Sequence, residues 1–333
     1  MLDYALSAHP RLKVPVVDGG FTLVYEPDPA HPNTWMLNDH SLIQDKSGRI
    51  HLFAIENPYP TRTQALQSLP ELTQPDDEPI AQTIHRWYAA LYPIETHYRV
   101  GHAIADNIYG PWTRLPAALG DDKEKYHYGS PFVMEHQHRY WMFLPAGPLD
   151  DLTVTGIYVS DDLESWRSVA EATPWWDTDV FGASHRDPCI ILLEDGTFLQ
   201  YFSAGDRQNR AAVLLATSSN LISWHPHEPC YIEQIDDVPS HGIFESNFVY
   251  KKDDLYYLFV CFAHRHYYET FVVVSDDPYH FSEQNKITTL FTHAPELIEI
   301  NGETYMTSCG IEDPQDFKRV GLWISKLKWL TPV

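Results

Sequence analysis

The feature that most constrains this chain is a fivefold internal repeat, because self-similarity at a fixed period ties the fold to one architecture before any single residue is interpreted. Five segments can be laid under one another: DHSLIQDKSGRIHLF from Asp39, GSPFVMEHQHRYWMF from Gly129, DPCIILLEDGTFLQYF from Asp187, ESNFVYKKDDLYYLF from Glu245 and HAPELIEINGETYMT from His293. Each has a short polar or small start, an apolar run, a turn and a second apolar run. The turns DKSG, EHQH, LEDG, KKDD and INGE fall at the same offset, which marks a β-hairpin. A second strand pair is expected after each hairpin, in YRVGHAIADNIYGPW (98–112), TGIYVSDDLESW (155–166), AVLLATSSNLISW (212–224), TFVVVSDDPYHF (270–281) and VGLWISKLKWL (320–330). Four antiparallel strands in each of five repeats describe an all-β, five-bladed β-propeller around a central channel.

The spacings agree with this. Gly129 to Asp187 and Asp187 to Glu245 are 58 residues each, and Glu245 to His293 is 48. Asp39 to Gly129 is 90, so the first repeat carries an insertion at about 57–96. It is rich in Pro and acids, and PIAQTIHRWYAALY (79–92) within it is predicted to form a short helix. A long excursion from a compact repeat is expected to be a functional rim element. The chain is thus expected to be one propeller domain over residues 1–333, and its 44% hydrophobic content is enough for a large core.

Composition narrows the partners. A formal net charge of −23 argues against nucleic acid, which demands basic clusters. No stretch approaches the roughly 18 to 20 apolar residues of a membrane span, and MLDYALSAHPRLK has no leader pattern, so a cytoplasmic protein is expected. Cys189, Cys230, Cys261 and Cys309 are spaced for neither disulfides nor zinc and read as buried thiols. Trp112, Trp166 and Trp224 recur at the ends of outer strands and are expected in the core.

The repeat brings Asp39, Gly129, Asp187, Glu245 and His293 to one end of the channel. Three of the five are acids at a position that needs no charge. Acids that face one another repel, so their retention points to catalysis or cation binding. Glycoside cleavage needs such a group: one carboxylic acid protonates the leaving oxygen, an opposing carboxylate activates water or attacks the anomeric carbon, and a third can raise the acid's pKa.

With these motifs in view, the whole chain resembles the five-bladed glycosidases of glycoside hydrolase family 43 and the related family 32 fructosidases. The resemblance implies Asp39 in WMLNDH as general base, Asp187 in HRDP as pKa modulator and Glu245 in FESNF as general acid, for an inverting hydrolase of the arabinofuranosidase or xylosidase kind. It also implies that His293 in THAPEL approaches an ion, calcium or another, in the central channel, through water. No cofactor is otherwise required. Fructosidases carry NDPNG in blade one and a Glu-Cys pair in blade four, where this chain has Asn38-Asp39-His40-Ser41 and Glu245-Ser246; the tripeptide Arg186-Asp187-Pro188 is shared with them. A retaining β-fructofuranosidase with Asp39 as nucleophile, a phosphorylase or transglycosidase, and a non-catalytic sugar-binding propeller are the alternatives. Around the acids, Trp35, His40, His127, Tyr128, Arg186, Phe244 and His293 are candidates to bind an oligosaccharide or glycoside, by stacking or by hydrogen bonding.

Overall fold

A computed structural model describes residues 9–27, 34–59, 99–120, 126–148, 154–169, 186–205, 211–233, 244–262, 268–313 and 318–332. Its strands form five antiparallel sheets, one per blade, arranged as a five-bladed β-propeller. Blade 1 consists of Thr34–Gln44, Ile50–Tyr59, Arg99–Ala105 and Thr113–Leu119. The strands that open blades 2 to 5 are Phe132–His136, Arg186–Leu192, Glu245–Lys252 and Leu297–Ile300.

The hairpin turns form for local reasons. In EHQH, KKDD and INGE two consecutive residues have positive φ, namely Gln137 and His138, Asp253 and Asp254, and Asn301 and Gly302. That is the mirror-image turn whose twist matches the flanking strands. In DKSG and LEDG a single glycine, Gly48 or Gly196, takes the left-handed conformation at φ near 90°, and its N–H bonds the carbonyl of Asp45 or Leu193. Only glycine adopts that backbone without steric cost.

In blades 1 to 4 the segments expected to hold a second strand pair hold the third strand and a tight turn; the short fourth strand follows the aromatic residue that ends them, as in Thr113–Leu119 after Trp112 and Lys286–Phe291 after Phe281. The turn repeats. Ser160 and Ser218 accept the N–H of Leu163 (2.8 Å) and Leu221 (3.0 Å), and the indoles of Trp166 and Trp224 donate to the carbonyls of those same leucines at 3.2 Å. Trp112 donates likewise to Ile108 at 3.3 Å. Trp224 is buried, whereas Trp112 and Trp166 are half-buried against the core. All four cysteines are buried thiols outside any disulfide.

Blade 5 departs from the expected chain order. Lys318–Leu330 is only its third strand, and the fourth is Val14–Tyr25 from the other end of the sequence, paired antiparallel from Val14–Leu330 to Tyr25–Leu322. Closing the ring this way ties the two ends of the sequence together in one sheet by backbone hydrogen bonds. The insertion at 57–96 lies outside the described residues apart from the first few, which end the second strand of blade 1.

Candidate active site

A β-bulge near the start of the opening strand places the acidic side chains. In blade 1, Leu37 pairs with Glu56 but His40 with Ala54; in blade 3, Arg186 pairs with Ser203 but Cys189 with Tyr201; in blade 4, Glu245 pairs with Cys261 but Phe248 with Phe259. Each case puts one extra residue on the opening strand, which bends it and turns its side chains. Asp187 and Ser246 take positive φ inside the bulge, 60° and 52°, as does Ala294 at 47° in blade 5, a conformation uncommon for residues with a Cβ and concentrated at functional sites.

The register corrects the repeat alignment. Glu245, Gly129 and His293 occupy equivalent places before the bulge, where Gly129 N–H donates to Pro145 and the His293 carbonyl accepts from Cys309. Arg186 and Leu37, rather than Asp187 and Asp39, fill that place in blades 3 and 1. Asp187 sits one residue further along and Asp39 two, so the acids converge from three different steps across the bulge. An ungapped alignment could not reveal an offset that only strand pairing defines.

Convergence is achieved through Ser246. Its hydroxyl donates to Asp39 Oδ1 and its backbone N–H donates to Asp187 Oδ2 at 2.6 Å. One residue next to Glu245 therefore holds the other two acids. The Asn38 side-chain amide donates to Asp39 Oδ2 at 3.1 Å, and the Ser130 hydroxyl donates to Asp187 Oδ1. Arg186 spans the remaining gap, with Nε 3.5 Å from Asp187 Oδ2, Nη2 3.8 Å from Glu245 Oε2, and Nη2 donating to the Phe244 carbonyl at 3.0 Å. A single guanidinium between two carboxylates offsets part of the repulsion that gathering three acids creates.

Repulsion and burial nonetheless leave their mark. Burial, and then the negative charge of Glu245, push Asp39 up to about 6. Asp187, only 5% exposed, is pushed to about 6 by burial and then by Asp39, against the opposing pull of Arg186, Ser130 and Ser246. A fourth acid lies behind them: Glu296 in blade 5 is raised to about 8, chiefly by burial, with a smaller contribution from Asp39. Carboxyl groups poised near neutrality in a cluster are what proton transfer at neutral pH needs.

The other candidates divide. Arg186 belongs to the cluster. His40 is buried, its Nε2 2.7 Å from the Thr307 hydroxyl, which places it in the contact between blades 1 and 5. Phe244 is buried among Tyr231, Phe262 and Phe271, so its ring packs the core while its carbonyl serves Arg186. Tyr128 is half-buried at the end of Tyr126–Tyr128, its ring edge-on to Tyr158. Trp35 and His127 lie on described strands, but their side chains fall outside the described residues. His293 is buried, with its backbone tied to Ser308 and Cys309. Among the described residues no three His, Cys, Asp or Glu side chains converge as a metal-ligand set, so the described protein side chains by themselves do not make a coordination shell at His293.

Ser130, Ser246 and Glu296 did not stand out in the sequence. The one trace of the serines is that serine takes the second place in two of the five aligned segments, GSPF and ESNF.

No family model matches the chain, and no curated protein does. Solved structures do match in fold. A family 43 β-xylosidase/α-arabinofuranosidase from a compost microbial metagenome, in complex with xylotriose, superimposes with a TM-score of 0.57 at 16% identity, over 96% of each chain. A GH43_1 enzyme from Xanthomonas citri complexed with xylose gives 0.59 at 14% identity, over 98% of this chain and 92% of that one. A family 32 β-fructofuranosidase from Bombyx mori gives 0.58 at 14% identity, and the match covers 94% of this chain but 62% of that one. At such identities the likeness establishes the five-bladed propeller fold.

Proposed function

We propose that this protein is a glycoside hydrolase acting on furanosyl or xylosyl linkages, with Glu245 as general acid, Asp39 as general base and Asp187 as the carboxyl that tunes the pair. The observation that carries this reading is the joining of the three acids by Ser246 and Arg186 at one end of the propeller. Structural or solvated acids have no reason to share donors in a desolvated site, where burial raises Asp39 and Asp187. The fold neighbours add weight, since those described above are glycosidases of families 43 and 32.

In this mechanism Glu245 gives its proton to the glycosidic oxygen as the bond to the anomeric carbon breaks, while ionised Asp39 takes a proton from the water attacking the opposite face. Asn38 and Ser246 hold the Asp39 carboxylate in one orientation, which leaves its remaining lone pairs for that water. Asp187, fixed by Ser130 and Ser246, supplies negative charge beside Arg186 and opposes the guanidinium's pull on Glu245. The ion expected near His293 has no part in these steps.

The test is a panel of aryl α-L-arabinofuranoside, β-D-xyloside and β-D-fructofuranoside substrates, with the anomer of the first product followed by NMR. Turnover with inversion is the expected result; product of retained configuration would make Asp39 a nucleophile instead. Turnover by wild type that survives unchanged in Glu245→Gln would remove Glu245 from the mechanism, and binding of sugars without any turnover would leave a carbohydrate-binding propeller.

A further inference from the structure

Four consecutive residues of blade 1 are tied between them to three other blades of the ring. Asp39 accepts from Ser246 of blade 4. His40 Nε2 meets the Thr307 hydroxyl of blade 5 at 2.7 Å. The Ser41 oxygen accepts the Val133 N–H of blade 2 at 3.0 Å. The Leu42 N–H donates to Glu296 Oε2 of blade 5 at 3.0 Å, and the Ser41 hydroxyl bonds the same carboxyl. Glu296 is itself anchored, since its own N–H donates to the Thr307 hydroxyl at 2.8 Å.

Glu296 and Thr307 thus form a paired clamp on the strand that carries Asp39. The clamp spans the junction between blades 1 and 5, and blade 5 is the one assembled from both ends of the chain. Elsewhere along the opening strand of blade 5 an acid suffices for a surface contact: Glu299, three residues on, takes the Tyr250 hydroxyl of blade 4. At Glu296 the carboxyl replaces a missing sheet partner for the Leu42 amide. A buried amide left without an acceptor costs about 1 to 3 kcal/mol, enough to shift a strand whose bulge already holds it away from regular pairing.

We infer that Glu296 is a positioning residue for Asp39: by holding the Leu42 amide and the Ser41 hydroxyl it sets the strand at the offset where Asp39 meets Ser246. The inference rests on the glycosidase reading for its consequence in turnover, but its structural content does not. The groups that face the carboxyl are the Leu42 amide, the Ser41 hydroxyl and, farther off, the Asp39 carboxyl. Glutamine preserves an acceptor for the two donors; alanine removes it.

The experiment is a 13C NMR titration of the aspartate side-chain carboxyls in wild type, Glu296→Gln, Glu296→Ala and Glu299→Ala, with Asp39→Asn identifying the Asp39 signal. Weakening the Ser246 bond removes an interaction that favours ionised Asp39, so its midpoint moves upward by about half a pH unit or more in Glu296→Ala. It stays in place in Glu296→Gln and Glu299→Ala. On a hydrolysed substrate, kcat of Glu296→Ala falls about 10- to 100-fold with KM within about twofold, and Glu296→Gln restores it. An unmoved Asp39 midpoint in a folded Glu296→Ala overturns the assignment, as does an equal shift in Glu299→Ala, which would mean general loosening of blade 5. If Glu296→Ala does not fold, the inference stands or falls on Glu296→Gln against Glu296→Asp: the shortened carboxyl moves the Asp39 midpoint if Glu296 sets its position, and leaves it if not. Absence of turnover in wild type would count against the glycosidase reading alone, because the titration needs no substrate.

Discussion

Asp39 and Asp45 lie six residues apart on one hairpin, and the fold treats them in opposite ways. Asp45, at the turn, is surrounded by donors: Oδ1 accepts from the N–H of Ser47 (2.8 Å), the hydroxyl of Ser47 (2.7 Å) and the N–H of Arg49 (2.9 Å), and Oδ2 from Arg49 Nε (3.0 Å) and His51 Nε2 (3.3 Å). Burial pushes its carboxyl up, but the bonds from Ser47, Arg49 and His51 outweigh that and hold it well below the usual carboxylate range. The chain of bonds continues inward, His51 Nδ1 lying 3.0 Å from His102 Nε2, with both imidazoles buried and His102 stacked on Phe53. Asp39 accepts from the side chains of Asn38 and Ser246, lies among Asp187, Glu245 and Glu296, and is raised to about 6. A half-buried carboxylate saturated with donors is a stabilising structural element; an under-supplied one among like charges is held at a cost to the fold, which is the pattern expected of a reacting group.

The sharpest way to break this contrast is to neutralise each acid in turn. Asp39→Asn and Glu245→Gln should lower kcat by about 10²- to 10⁴-fold, the usual value of a general acid or base, while leaving the melting temperature within a few degrees. Asp45→Asn should do the reverse, costing about 1.5 to 3 kcal/mol by weakening its charge-assisted bonds, with kcat of the folded protein unchanged. Thermal denaturation and steady-state kinetics on the same preparations decide both; an Asp45 variant that is stable but inactive would erase the distinction.

Asp187 gives a smaller effect whose sign depends on pH. Its folded pKa of about 6 lies above its ordinary value of 3.8, so the folded state binds its proton more tightly than the unfolded state. That contribution is fully present below about pH 4 and is lost as pH rises through about 6. Asp187→Asn, which keeps an acceptor for the Ser246 N–H, should therefore be more stable than wild type at pH 8, by about 1 to 2 kcal/mol, with the gain vanishing near pH 4. Melting curves at the two pH values measure it. The histidines work in the other direction: burial lowers His40 to about 4, and burial together with His51 lowers His102 to about 3, so their contribution is present above about 6.5 and is lost as pH falls through the folded values.

The smallest effect is expected at Ser246. Ser246→Ala removes the hydroxyl from Asp39 but keeps the N–H on Asp187. The acidic limb of the kcat/KM profile, set in wild type by ionisation of Asp39 near pH 6, should move upward by about 0.5 to 1 unit. An unchanged profile would mean that another group controls that limb.

The sequence by itself determined the repeat, because hairpin periodicity and turn chemistry are local: apolar alternation, glycine or paired polar residues at the turn, and an aromatic closing each outer turn are written within a dozen residues. It also marked Asp39, Asp187 and Glu245, since acids are conspicuous where a repeat calls for none. Only the tertiary structure decided that Arg186, not Asp187, shares the place of Glu245, because a β-bulge is a relation between two strands. It alone drew Ser130, Ser246 and Glu296 to the acids, turned His40 and Phe244 into the core, and took the last strand of blade 5 from Val14–Tyr25. These depend on contacts between residues distant in the chain, 207 positions apart for Ser246 and Asp39 and 267 for His40 and Thr307, and no local pattern carries that information.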